Sequence, residues 1–173
     1  AGRDDQGDRG PAAVIDLDDM DRAILRDLVA EGTLSAGELG RRHGLSQPAT
    51  WRRGRRLEEA GGLKGLAVEV DREKLGFGVT VFLGVKLATK GRVSLEDFER
   101  AVQAIPEVQV VQHVLGLFDY RLRVVARDLA DFERVLRRRV MTLPGVGNVE
   151  ANVLLTEERR PGPLGMAETV VKG

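Results

Sequence analysis

An α+β chain in two folded parts is predicted from these 173 residues: three short helices with a trailing strand, then a doubled β-α-β unit. Three observations predict it. Capping residues cut the stretch up to Gly61 into helix-length pieces. A phrase in the second half occurs twice, as Leu95-Glu96-Asp97-Phe98-Glu99-Arg100 and as Leu129-Ala130-Asp131-Phe132-Glu133-Arg134. Around both copies, apolar residues alternate with the period of two that a half-buried strand requires.

Asp18 is placed to cap the first helix, whose apolar face is Met20, Ile24, Leu25 and Leu28; Gly32 ends it. Ser35-Ala36-Gly37-Glu38 matches a capping box, in which each side chain accepts from the other residue's free N–H. The short helix that follows stops at Gly44. Ser46 caps a third helix running to Gly61, with Pro48 in the first turn, where its missing N–H costs nothing. Leu63 to Val70 reads as a strand. This order is that of a winged helix-turn-helix, with the helices over residues 15–62 and the wing strand and hinge over 63–78.

Residues 79–158 form the second part. Val81, Leu83, Val85 and Leu87 share one side of a strand, as do Tyr120, Leu122, Val124 and Ala126, with Arg121, Arg123 and Arg127 opposite. Val108 to Leu115 and Val149 to Leu155 supply two more strands. The helices bury Leu95, Phe98, Val102 and Ile105 in the first copy, and Leu129, Phe132, Leu136, Val140 and Leu143 in the second. The order βαββαβ, with helices on one sheet face, is a ferredoxin-like fold. Residues 1–14 and 159–173 read as flexible tails.

Lysine plus arginine number 27 and aspartate plus glutamate 27, so bulk charge does not announce a polyanion binder. No cysteine is present, which excludes disulfides, thiolate metal sites and cysteine nucleophiles. No apolar run approaches the roughly 20 residues of a membrane span, and the polar start AGRDDQGDRG is not a signal peptide. No nucleophile–base or acid–base spacing stands out, so neither an enzyme nor a cofactor or metal site is expected. His43 and His113 read as structural residues.

Charge is nevertheless uneven. Between Arg41 and Arg56 there are six arginines and no acid. The planar guanidinium donates paired hydrogen bonds to phosphates and to guanine edges, and the second helix of such a motif enters the major groove. Ser46, Gln47, Thr50, Trp51, Arg52 and Arg55 are therefore the candidates at the DNA groove, with Arg41, Arg42 and Arg56 on phosphates. Trp51 either stacks on a deoxyribose or packs against the wing. In the turn Gly116-Leu117-Phe118-Asp119, Gly and Asp are ordinary hairpin residues, or else they grip a zwitterionic ligand; spacing does not choose.

In this order and spacing the chain resembles the Lrp/AsnC family of regulators from Ile15 to Glu158. The resemblance is carried by Leu17-Asp18-Asp19-Met20-Asp21-Arg22-Ala23-Ile24-Leu25, Gly44-Leu45-Ser46, Arg53 and Arg56-Leu57-Glu58-Glu59-Ala60-Gly61. It continues in Lys74-Leu75-Gly76, Pro106-Glu107-Val108, Gly116 with Asp119-Tyr120, and Leu143-Pro144-Gly145-Val146. It implies a cytoplasmic, nucleoid-associated transcriptional regulator whose dimers join into tetramers, octamers or larger rings on double-stranded DNA. It also implies an amino acid or similar effector between dimers, contacted here by Gly116, Leu117, Phe118 and Asp119, with Asn152 on the last strand. Ala151 and Asn152 stand where many relatives carry a hydroxyl, so the alternative is a DNA-wrapping regulator that senses another metabolite or none. The siroheme decarboxylases resemble the family in fold, but their histidine pattern is absent. Gly54 replaces an aliphatic residue on the buried face of the third helix, and Gly40, His43 and Gly62 are further departures. These predict a DNA-binding domain less stable than its relatives'.

Overall fold

The computed structural model describes residues 13–88 and 91–160. The predicted tails over 1–14 and 159–173 fall outside these, apart from 13–14 and 159–160. The chain forms two compact units that divide between Val68 and Glu69.

In the first unit, α1 (Asp19–Ala30), α2 (Ala36–His43) and α3 (Gln47–Glu59) follow one another. At each start, local side-chain oxygens accept from the free backbone N–H groups. Asp18 and Asp21 form a full capping box on α1, Ser35 and Glu38 another on α2, and the Ser46 hydroxyl accepts from Ala49 N on α3. Gly44 closes α2 at φ 68°, a left-handed turn that glycine adopts without strain. The core is Ile24 and Leu25 of α1, Leu39 of α2 and Leu57 of α3. His43 is indeed structural: its Nε2 lies 2.7 Å from Asp27 Oδ2 and ties α2 to α1.

The wing strand expected over Leu63–Val70 is not formed. Alternating side chains do not make a strand without a neighbour to take the backbone hydrogen bonds, and none pairs with this stretch among the described residues. Leu66 and Val68 are exposed, and Gly65 breaks the extended run at φ 146°. The adjoining hinge residues 72–76 form a turn.

The second unit is the predicted βαββαβ. Strands β1 (Val79–Leu87), β2 (Val108–His113), β3 (Tyr120–Ala126) and β4 (Val146–Val153) form an antiparallel sheet in the order β2-β3-β1-β4. The edge strands depart from prediction: β2 stops at His113, and β4 begins at Val146 because it pairs with Leu87 across a register shift. Inward residues Val81, Leu83, Val85, Leu87, Tyr120, Leu122, Val124 and Ala126 meet Phe98 and Val102 of α4 (Arg92–Val102) and Phe132 of α5 (Leu129–Val135). α5 then widens into a π turn over Leu136–Val140, which still delivers Val140 and Leu143 to the core. Buried Tyr120 donates its hydroxyl to Glu99 Oε1 at 2.5 Å. Burial, then this carboxylate, raise the phenol's pKa far above its usual value.

Candidate nucleic-acid interface

Helix α3 is seated by its inward residues. Thr50 and Leu57 are buried, and the Thr50 hydroxyl donates back to Ser46 O at 3.0 Å, so Thr50 faces the core rather than the groove. Gln47, Trp51, Arg52 and Arg55 are exposed on the outer side, Trp51 at 58%.

The six arginines separate by what already holds them. Arg53 Nη1 donates to Asp21 Oδ1 at 2.9 Å and to Asp18 Oδ2 at 2.7 Å. Arg56 donates to Asp21 Oδ2 and, at 3.4 Å, to the Asp16 carbonyl. Asp21 is only 1% exposed, and its carboxylate also accepts from Asp18 N, so a buried charge is paired and hydrogen-bonded throughout. The Arg53 hydrogen bond, then the Asp21 N–H, hold the Asp18 carboxyl below its usual pKa. Arg42 reaches Glu31 at 3.4 Å and Asp27 at 3.9 Å. Arg55 pairs with Glu58 at 3.3 Å and Glu59 at 3.4 Å, and lies 5.8 Å from the Trp51 ring centroid. Arg41 and Arg52 make no ion pair among the described residues and are exposed. They are the charges least committed to the protein itself.

Sequence reasoning missed the role of Asp18 and Asp21 in anchoring α3. Asp18 was legible as a cap, but the partners of these carboxylates lie over thirty residues away, and no local spacing reveals them.

At the other candidate site, the turn after β2 folds back onto the end of β1. Asp119 N donates to Val85 O at 2.9 Å, and one Asp119 carboxylate oxygen accepts from Leu87 N at 2.8 Å. The Phe118 ring covers Gly84, where a Cβ would stand 2.7 Å from Phe118 Cδ2. Asn152 pairs opposite Phe82, on the sheet face away from the helices. Gly116 and Leu117 are exposed. The turn is thus built by its own Asp, with one carboxylate oxygen tied to the backbone.

Residues 17–58 match the AsnC-type helix-turn-helix domain and residues 80–163 the Lrp/AsnC ligand binding domain. The chain belongs to the Lrp/AsnC family. It is a DNA-binding transcriptional regulator with a ligand-binding domain, not an enzyme. This regulator is 34% identical over 147 residues to the proline dehydrogenase transcriptional activator of Rhizobium radiobacter, covering 85% of this chain and 94% of that one. It is 33% identical over 149 residues to the leucine-responsive regulatory protein of Escherichia coli K12, covering 86% and 91%. Among solved structures it resembles the Neisseria meningitidis transcriptional regulator NMB0573 in complex with L-Met. That match has TM-score 0.81 and 28% identity, covering 88% of this chain and 99% of that one. No helix among its described residues is long and apolar enough to cross a membrane.

Proposed function

We propose that this regulator acts as a homodimer, assembled further into tetramers or octamers, that inserts two copies of α3 into successive major grooves of a near-palindromic site. Exposed Arg41 and Arg52, which form no ion pair among the described residues, carry this reading. Phosphates would supply the missing partners and release counterions as they did so. Gln47, Trp51 and Arg55 lie on the same outer side for base or groove contact. Exposed Leu66, Val68 and Val70 on the unpaired stretch after α3 favour a second copy as their cover. The regulator would work where the chromosome is, at the cytoplasmic nucleoid.

The effector is an amino acid held near Gly116, Leu117, Phe118, Asp119 and Asn152, a reading supported by the ligand-binding family model and by the structural relative crystallised with L-Met. An effector changes transcription only by favouring one assembly over another. A second reading, sensing of another metabolite or none, is favoured by the Asp119 oxygen already given to Leu87 N and by Asn152 at the strand position noted above.

The experiment is a mobility shift on the protein's own promoter region with and without each amino acid, alongside sedimentation for mass. Saturable binding by a dimer or larger assembly, altered by one or two amino acids, is the expected result. Binding that no amino acid alters establishes the second reading. A monomer that ignores DNA at low salt, random genomic fragments included, contradicts both.

A further inference from the structure

The first unit contains a cavity of about 300 Å³ between α1, α2 and α3, bordered by the stretch after α3. Its origin is a missing side chain. Gly54 lies among the inward residues of α3, four beyond Thr50 and three before Leu57, yet a Cβ built on it meets nothing within 4 Å. Ile24 and Leu28 of α1 and Leu39 of α2 line the space thereby opened. Leu66 leans over one side, where a Cβ on Gly32 would stand 2.5 Å from Leu66 Cδ1.

We propose that this cavity is a binding site for an uncharged, apolar molecule about the size of one aromatic ring, separate from the turn at Gly116–Asp119. Size supports it: apolar cavities of roughly 150 Å³ are known to take benzene, and this partly open one is larger. Most of the lining side chains are aliphatic and Trp51 joins them, with a few polar groups among them, as in a typical small-molecule pocket. Charge supports it too. Arg55 and Glu58, the two charged lining residues, pair with each other at 3.3 Å, so their opposite charges offset and the lining has no net charge to favour an ion of either sign. The remaining polar side chain, Thr50, spends its proton on Ser46 O. A charged ligand would lose hydration here with nothing to replace it. Because α3 forms one wall, filling the cavity fixes how the DNA-reading helix sits on α1.

The test uses the full-length chain without DNA, so it stands or falls independently of the DNA and effector readings. Toluene is titrated by calorimetry and by the emission of Trp51, the only tryptophan and a lining residue. Benzoate and benzylammonium carry the same ring with a charge of either sign. The expected result is one toluene per chain with a shift in Trp51 emission, and binding of both ions weaker by about tenfold or more. Gly54→Leu fills the space and abolishes toluene binding. Gly54→Ala, whose single methyl fits without displacement, weakens it by a smaller factor and covers the case in which leucine overpacks the site. The proposal is overturned by no heat and no emission change up to the solubility limit of toluene, or by Gly54→Ala and Gly54→Leu binding as the parent does. It is also overturned if Trp51 emission shifts on dilution without toluene while toluene affinity rises, which would make a second copy the natural occupant.

Discussion

Asp21 is the residue on which the seating of α3 depends. This carboxylate, 1% exposed, is held by Arg53 and Arg56 and by the backbone of its own cap, and removing it leaves Arg53 only Asp18 and Arg56 only the Asp16 carbonyl. Breaking a buried ion pair from one side costs about 3 kcal/mol or more. Because both arginines reach solvent, Asp21→Ala is expected near the lower end of that range, read by urea denaturation; a loss under about 1 kcal/mol would show that the network is ornamental. Acid titration tests the neighbouring group. Asp18 has its folded pKa depressed, so its contribution is present above the usual value of 3.8 and is lost as pH falls below it toward the folded value. The first unit should melt progressively lower as pH falls below 3.8, and Asp18→Asn should flatten that decline. The sequence put Arg52 at the groove and Arg56 on phosphates but did not reveal that Asp21 holds Arg53 and Arg56, because residue type reports charge and only tertiary contact reports how the charge is spent.

The helices α1 to α3 were legible because their signals are local: Asp18, Ser35 and Ser46 cap within three residues of themselves, and Gly44 needs its left-handed turn wherever the chain goes. The stretch after α3 was not, since Leu66, Val68 and Val70 alternate as in a strand yet nothing pairs with them among the described residues. Hydrogen exchange of the 63–70 amides should accordingly be fast in dilute protein and slow where a second copy supplies a partner; rates independent of concentration would contradict that role for the segment. Glycines in the first unit also differ in a way the sequence hides. Gly40 is required by closeness, because a Cβ there would stand 2.5 Å from Leu45 O, whereas Gly54 faces open space. Gly54→Ala should therefore stabilise the first unit by about 1 kcal/mol, the usual mid-helix difference, and Gly40→Ala should destabilise it. Thermal melts of the two variants decide this.

At the scale of the whole molecule, the doubled Leu-x-Asp-Phe-Glu-Arg phrase sufficed to place α4 and α5 on one face of the sheet. Alternation made β1 and β3 legible, and the sheet holds them in its middle, where both neighbours enforce the register. The edge strands, paired on one side only, were the ones whose ends moved. The effector turn was legible as a turn, but its use of Asp119 on Leu87 N was not, since the two are brought together only by the sheet. On the proposed interface, α3 and the end of α2 meet DNA through charges that form no ion pair within the described protein, Arg52 of α3 and Arg41 of α2. The most direct measurement is the affinity for promoter DNA across a salt series for the parent, Arg52→Ala and Arg56→Ala. Arg52→Ala should leave stability unchanged and lower the slope of log affinity against log salt by about 1. Arg56→Ala should lower stability and leave most of the slope. A parent that shows no salt dependence, or an Arg52→Ala variant whose slope equals the parent's, would contradict this interface.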